Sequence, residues 1–170
     1  MIYAVFWISL LIVYVLFFFF WVYTLTKAAP YYPSNNEIVG EIVKFVIKHP
    51  YAHVAELGAG DGRIVFALAK AGIKVTGIEV NPFFSLWMRL RSAISGYTNV
   101  VINNGDFFKQ DLNKYNIVVA YLLPDVMGKL ETKIYQEMRK GSILLTNTFT
   151  LKKHKPSKII KKKLYVYEIS

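Results

Sequence analysis

Residues 54–63 read VAELGAGDGR, a short apolar run followed by a glycine-rich turn. Gly58, Gly60 and Gly62 occupy alternate positions in the turn, and a helical pattern of apolar residues begins after Arg63. A strand that leads directly into a glycine turn and a helix begins a nucleotide-binding βαβ unit. Glycine allows backbone angles that other residues avoid, and its missing side chain lets a ligand lie against the main chain. We therefore predict that a ligand binds at this turn.

The spacing of the glycines distinguishes two classes of ligand. The dinucleotide fingerprint G-x-G-x-x-G needs its third glycine at the position of Arg63, so this chain lacks it. The spacing G-x-G-x-G, with Glu56 in front of it, instead resembles motif I of the class I S-adenosylmethionine-dependent methyltransferases. S-adenosylmethionine carries a sulfonium and an ammonium cation in place of a pyrophosphate, and a carboxylate beside the turn suits those cations. The alternative is a turn that binds nothing, because a lone glycine motif is a weak signal.

Two more carboxylates stand at the ends of apolar runs. Residues 75–80 contain a second predicted strand that includes Glu79, and residues 99–103 contain a third that leads to Asp106. In a nucleotide-binding unit, the acid after the second strand binds the ribose hydroxyls through charge-assisted hydrogen bonds. The resemblance to the methyltransferases implies that Asp106 accepts from the adenine amino group and that Phe107 flanks the ring. One acid at a strand end is usually only solvated, whereas three on consecutive strands indicate one site.

The predicted cofactor site combines the glycine turn with the ends of these strands, and the resemblance implies S-adenosylmethionine as the cofactor. Its predicted members are Glu56, Gly58, Ala59, Gly60, Asp61, Gly62, Glu79, Val80, Asn81, Asp106, Phe107 and Tyr121. The chain has no cysteine, and its three histidines lack the spacing of metal ligands. No metal site is therefore predicted.

The N-terminal segment is apolar enough to cross a bilayer. Residues 1–26 contain no charged side chain, and Ser9 alone interrupts the apolar run over residues 2–23. About 20 apolar residues suffice for a membrane-spanning helix. A signal peptide is the alternative, but the basic region at its start is absent and the apolar run is longer than usual. We predict an uncleaved transmembrane anchor over residues 1–26 that contacts the bilayer through residues 2–23.

The 170-residue chain has a net charge of +10, all of it in residues 27–170. The excess of Lys and Arg after the anchor predicts a cytoplasmic domain and an N-terminus outside the membrane. Seven lysines lie between Lys152 and Lys163. They suit anionic lipid head groups or nucleic-acid phosphates, and a solvated basic surface is the third interpretation.

The rest of the chain alternates strands and helices. Residues 27–33 form a proline- and tyrosine-rich linker, and residues 34–170 form the predicted domain. Ser34 and Glu37 have the spacing of a capping box for a helix that reaches about Lys48. The pattern predicts an α/β fold with a doubly wound, mostly parallel, Rossmann-like sheet, an antiparallel C-terminal strand and a preceding transmembrane helix. It leaves open whether the tail forms one strand or two, and no turn is evident between a sixth and a seventh strand.

Several motifs together resemble the FAM173-type protein-lysine methyltransferases, which include archaeal enzymes and mitochondrial, membrane-associated relatives. These motifs are Pro30-Tyr31-Tyr32-Pro33, Glu56 to Arg63, Gly77-Ile78-Glu79, Gly105-Asp106-Phe107-Phe108 and Tyr121-Leu122-Leu123-Pro124. The resemblance covers residues 30 to 150 and implies S-adenosylmethionine as cofactor and a protein lysine as substrate.

Methyl transfer to an amine is an in-line displacement, so it depends mostly on orientation and on a neutral amine. An apolar, aromatic channel disfavours the ammonium form. The resemblance implies that Tyr121 and Tyr32 act at this channel. The predicted substrate-binding residues are Tyr31, Tyr32, Pro33, Leu122 and Pro124. For Tyr31 and Tyr32, packing of the linker onto the domain is an equal alternative.

The sequence thus predicts a membrane-anchored methyltransferase that modifies a lysine on a protein near the membrane. A nucleic-acid substrate is disfavoured, because amino-methylating nucleic-acid enzymes of this fold have an Asn/Asp-Pro-Pro-aromatic box where this chain has Tyr121-Leu122-Leu123-Pro124. The alternatives are a small-molecule or lipid methyltransferase and a non-catalytic, membrane-tethered module that only binds S-adenosylmethionine.

Overall fold

The computed structural model describes residues 2–27, 32–50 and 52–170, and the chain divides into two compact units, Met1–Tyr31 and Tyr32–Ser170. The first unit contains helix α1 (Ile2–Lys27). Within it, Ile2–Phe20 is apolar, has no buried residue and is long enough to cross a membrane, properties that a signal sequence shares. The predicted linker falls largely outside the described residues, and Tyr31 lies there too.

The second unit is organised around a sheet of seven strands. These strands are β1 (His53–Leu57), β2 (Lys74–Glu79), β3 (Val100–Asn104), β4 (Ile117–Ala120), β5 (Ile143–Asn147), β6 (Lys158–Ile160) and β7 (Leu164–Glu168). Their order across the sheet is β3-β2-β1-β4-β5-β7-β6. Strands β1 to β5 run parallel, and β7 runs antiparallel to both of its neighbours. The fold class predicted from the sequence is confirmed.

Helices cover both faces of the sheet. They are α2 (Asn36–Val46), α3 (Arg63–Lys70), α4 (Pro82–Ile94) and α5 (Pro124–Glu137), and a short 3-10 turn spans Phe107–Lys109. Successive strand residues point to opposite faces, so Val119 packs in the core under α2 and α3 while Val118 packs in the core under α5. Burial on both faces explains why the central strands read as unbroken apolar runs.

The C-terminal tail forms two strands, which settles the question that the sequence left open. Strand β6 pairs with β7 in a hairpin that places Ile160 opposite Leu164. Lys161 and Lys162 turn the chain with φ angles of 52° and 57°. Such left-handed turns normally use Asn or Gly, so a pair of lysines gives no turn signal in the sequence. The turn between the last two strands was not evident in the sequence for this reason.

The start of α2 also differs from its prediction. Its N-cap is Asn35, whose side chain accepts a hydrogen bond from the Glu37 amide, and the helix ends at Val46. The predicted capping box at Ser34 is therefore wrong. Ser34 is instead buried, and its hydroxyl pairs with Asn147 Nδ2 at 3.3 Å. This tertiary partner, 113 residues away, is invisible to a local motif.

Candidate functional site

The glycine turn follows β1 and needs its glycines for two separate reasons. Gly58, Gly60 and Gly62 have φ angles of 69°, 54° and 78°, which favour glycine strongly. A Cβ at Gly62 would also stand 2.8 Å from Met88 and Phe66 side-chain atoms. Gly58 is exposed, so its main chain remains accessible to a ligand. The turn therefore has the backbone geometry and the open surface that its sequence predicts.

Glu79 ties together the loops that follow the first three strands. Its Oε2 accepts from the Gly60 amide and its Oε1 from the Asn81 amide, both at 2.8 Å. The Glu79 carbonyl accepts from the Gly105 amide at 2.9 Å. A carboxylate has about four acceptor positions, so these two bonds leave positions for the hydroxyls of a ribose. The structure thus brings three predicted segments to one place through this single residue.

Glu56 is buried beneath the turn rather than beside the open surface. Its Oε2 accepts from the Val65 amide in the first turn of α3 at 3.0 Å. Burial raises the pKa of the Glu56 carboxyl well above its ordinary value, the carboxylates of Asp61 and Glu79 raise it further, and the Val65 hydrogen bond opposes them. In this arrangement Glu56 holds the turn against α3, and its predicted contact with a cationic cofactor stays a prediction.

Asp106 begins the short 3-10 turn after β3. Its Oδ1 accepts from the Phe108 amide at 2.8 Å, which leaves other acceptor positions on the carboxylate for a ligand amino group. Phe107 is half-buried, and its ring centroid lies 4.5 Å from that of Phe108. Gly105, which precedes them, bonds to Glu79 as described above. The predicted adenine-binding pair therefore adjoins the predicted ribose-binding residue.

Arg63 is a structural participant that the sequence interpretation missed. Its Nη2 lies 2.8 Å from Asp61 Oδ2, and its Nη1 donates to the Ser34 carbonyl at 2.7 Å. The guanidinium thereby joins the start of the second unit to the glycine turn. The sequence offers one signal for this role, a charged residue directly after the glycines.

The end of β4 supplies an aromatic wall. Tyr121 and Leu122 are half-buried, and Leu122 Cδ2 would be 3.2 Å from a Cβ on Gly58. The Tyr121 ring stacks on Phe149, with centroids 6.4 Å apart and planes inclined by 24°. Phe149 follows β5 and was not predicted, since its pairing depends on β4 and β5 being neighbours. Thr148 beside it has a φ of 68°, a strained angle for a β-branched residue.

The remaining predicted residues differ in their exposure. Ala59 is buried, Val80 is 37% exposed, and Asn81 caps α4 by accepting from the Phe83 amide at 2.9 Å. Pro124 is exposed at the first position of α5. Pro33 is also exposed, and Tyr32 is 73% exposed. The structure does not place Tyr32 against Tyr121, so its role at a substrate channel stays a prediction.

Comparison with known proteins identifies the family of this domain. Residues 56–158 match the model of the ANTKMT methyltransferase domain. The chain belongs to this family. A rat lysine N-methyltransferase that is named for an ATP synthase subunit is 32% identical over 123 residues, which are 71% of this chain and 56% of that protein. An archaeal protein-lysine N-methyltransferase from Saccharolobus islandicus is 28% identical over 142 residues, 78% of this chain and 84% of that protein.

A solved structure agrees with this assignment. An RNA methyltransferase from Salinibacter ruber, crystallised with S-adenosyl-L-homocysteine, matches with a TM-score of 0.76 and 25% identity over 81% of this chain and 94% of that chain. The domain is therefore a class I S-adenosylmethionine-dependent methyltransferase domain, and the resemblance predicted from its motifs is confirmed. The exposed Gly58 and the acceptor positions on Glu79 and Asp106 fit that cofactor. The chain spans about half the length of the curated animal relatives it matches.

Proposed function

We propose that this chain transfers a methyl group from S-adenosylmethionine to a lysine side chain of a protein. The observation that carries the proposal is the convergence of three loops on Glu79, in a chain whose relatives are named lysine N-methyltransferases. This convergence supports a cofactor site at Glu79. The bound cofactor supplies a methyl group on a sulfonium, an activated carbon for attack by an amine.

The residues of the chain orient the reactants and exclude water. Glu79 would hold the ribose and Asp106 the adenine, while the glycine turn would admit the rest of the cofactor against its main chain. Tyr121 and Leu122 belong to the aromatic wall beside the glycine turn. Such apolar surroundings favour the neutral form of the lysine amine, which is the form that attacks. The lysine ammonium releases its proton to water before the reaction. Its neutral nitrogen would then form the N–C bond as the S–C bond of the bound cofactor breaks, so that the positive charge passes from sulfur to nitrogen.

The proposed substrate is a lysine near a membrane surface. Helix α1 supports this location, because its segment Ile2–Phe20 is apolar, exposed and long enough to span a bilayer. Lys27 follows the apolar run and no Lys or Arg precedes it, which supports a cytoplasmic domain with the N-terminus outside. All seven lysines between Lys152 and Lys163 are exposed. Each would contribute about 1 kcal/mol of attraction near an anionic lipid surface.

The test incubates the full chain and its Glu79→Gln variant with isotopically labelled S-adenosylmethionine and with cell membranes. Mass spectrometry should find labelled methyl-lysine on membrane-associated proteins with the native chain. Because Glu79→Gln loses a charge-assisted acceptor, we expect its cofactor affinity to fall by about 1–3 kcal/mol. A Gln136→Glu variant, changed at an exposed position of α5, serves as the control.

Four results would contradict the proposal. Labelled methyl groups in lipids or small molecules would favour a lipid or small-molecule methyltransferase. Label in RNA would favour the activity named for the Salinibacter relative. Cofactor binding without transfer to any of these would favour a non-catalytic module. Equal activity of Glu79→Gln would refute the assignment of the cofactor site.

A further inference from the structure

Helix α4 exposes an apolar stripe along the side that faces away from the sheet. Its only buried residues are Ser85 and Met88. Leu86, Trp87, Leu90 and Ile94 are 54%, 55%, 52% and 87% exposed. Their spacing places them along one side of the helix. A surface helix of a soluble domain normally carries polar residues on this side, so a contiguous apolar surface marks an interaction site.

The charges of α4 indicate what this stripe contacts. The helix contains Arg89 and Arg91 and no acidic residue. Both arginines are exposed, and both are held against the domain. Arg89 Nη2 donates to the Ile102 carbonyl at 3.2 Å, and the Arg91 guanidinium lies 4.2 Å from the Phe66 ring centroid. The apolar stripe is therefore flanked by fixed positive charge.

A bilayer with anionic head groups complements all of these features. Amphipathic helices that lie in a membrane interface combine leucine and aromatic residues with flanking cations, and tryptophan is enriched at that depth. Helix α1 of the same chain has the composition of a membrane span. Once one segment of a chain is in a bilayer, a second contact becomes intramolecular and its effective concentration rises.

We propose that the exposed stripe of α4, formed by Leu86, Trp87, Leu90 and Ile94, docks in the interface of an anionic bilayer. This inference rests on the proposed membrane location and adds an orientation to it. Asn81 caps α4 and its amide bonds to Glu79. Docking of α4 therefore orients the cofactor-binding loops with respect to the lipid, and a substrate lysine must reach them from the membrane surface.

The three tryptophans of the chain, Trp7, Trp21 and Trp87, make the two membrane contacts separately measurable. The full-length W7F/W21F variant keeps Trp87 alone, and the W21F/W87F variant keeps Trp7 alone. Each is reconstituted into vesicles of brominated phosphatidylcholine and phosphatidylglycerol, in which bromine quenches tryptophan that contacts the lipid. The control replaces all three tryptophans with Phe and carries Gln136→Trp on α5, which packs on the opposite face of the sheet.

We expect quenching of Trp7 and Trp87 and none at position 136. Quenching of Trp7 without quenching of Trp87 would overturn the docking of α4 and leave the anchor intact. Quenching of Trp87 without quenching of Trp7 would support the docking of α4 and overturn the anchor. A Trp87 that is shielded from lipid in a chain that is dimeric in detergent would overturn the proposal in favour of contact with a second copy. Quenching of neither residue would refute both membrane contacts.

A charge placed in the stripe separates docking from a fold effect. Ile94→Glu changes the most exposed stripe residue and should lower the ratio of docked to undocked domain by about tenfold or more. Gln136→Glu adds the same charge on the opposite side and should leave that ratio unchanged. Affinity for S-adenosylmethionine should stay the same in both variants. Equal quenching of Trp87 in the Ile94→Glu and native backgrounds would contradict the proposal.

Discussion

The glycine turn and the lysine-rich loop over residues 148–157 both begin at the carboxyl end of a parallel strand, β1 and β5, yet they are stabilised differently. Beneath the turn, Glu56 is buried with one backbone hydrogen bond, to Val65. Beneath the loop, Glu131 is equally buried but accepts from three consecutive amides and from His154 Nδ1. The turn relies on glycine backbone geometry, whereas the loop relies on one carboxylate.

This difference is reflected in the pKa values of the two glutamates. Burial raises the pKa of Glu56 well above its ordinary value. Burial is also the largest influence on Glu131, but the His154 and backbone hydrogen bonds together outweigh it and lower the pKa. Hydrogen bonds to a charged form favour that form, and desolvation disfavours it. The same residue type therefore behaves oppositely in the two regions, and each behaviour can be tested.

The largest effect is expected in the glycine turn. Gly62→Ala forces a φ of 78° on a residue with a Cβ and brings that atom within 2.8 Å of Met88 and Phe66. The left-handed angle and the overpacking together should lower the free energy of unfolding by about 2–5 kcal/mol. Gly72→Ala is the matched control, because Gly72 has a φ of 80° with nothing within 4 Å. It should cost only about 1–2 kcal/mol. Equal losses in denaturant titrations would show that packing at Gly62 is unimportant.

Next in size is the loss of the Glu131 carboxylate. Glu131→Gln replaces an acceptor oxygen by an amide donor that faces backbone N–H groups, so we expect a loss of about 1–3 kcal/mol. Hydrogen exchange should show residues 152–154 opening first. A variant with unchanged exchange in that segment would contradict the role of Glu131 in holding the loop.

The pH dependence of the two glutamine variants distinguishes the regions. The folded-state pKa of Glu131 is lowered, so its contribution is present above the unfolded pKa of about 4.3 and is lost as pH falls through the folded value. The folded-state pKa of Glu56 is raised, so its contribution is complete below the unfolded pKa and is lost as pH rises through the folded value. Relative to the native chain, the Glu131→Gln variant should therefore gain stability as the pH falls. The Glu56→Gln variant should gain stability as the pH rises. Parallel stability curves for the two variants would refute the contrast.

A smaller effect is expected at the aromatic wall. Phe149→Ala removes the ring that stacks on Tyr121. Besides the loss of buried apolar area, the lost ring pair should lower the free energy of unfolding by about 0.5–1.5 kcal/mol. If Tyr121 borders the substrate, the rate of methyl transfer should fall while affinity for S-adenosylmethionine is kept. Tyr121→Phe keeps the ring and serves as the control. A loss of cofactor affinity with an unchanged transfer rate would place this wall at the cofactor instead.

The smallest change concerns the hairpin of the tail. Lys162 has a φ of 57°, which glycine adopts without strain. Lys162→Gly relieves strain in the folded state but increases the entropy of the unfolded chain. Because these two effects oppose each other, we expect the free energy of unfolding to change by no more than about 1 kcal/mol. Lys163→Gly, at the next position of the same turn, is the comparison. If Lys163→Gly stabilised the fold more than Lys162→Gly does, the positive φ of Lys162 would carry no energetic cost.

The sequence by itself determined the features that depend on neighbouring residues. The glycine spacing around Gly60 and the start of α4 at Asn81 and Pro82 follow from local backbone requirements. The acids Glu79 and Asp106 were recognisable because each stands at the end of a predicted strand. These predicted the α/β fold, the methyltransferase family and the cofactor. The apolar N-terminal helix was equally readable, because its length and composition are local properties.

The tertiary structure alone decided which distant residues meet. It paired Ser34 with Asn147, joined Arg63 to the Ser34 carbonyl, placed Phe149 against Tyr121 and closed the loop over Glu131. It also left one side of α4 exposed, although the apolar residues on that side resemble those of a buried helix. Each of these outcomes depends on the order of strands in the sheet, which brings together segments that no local pattern connects.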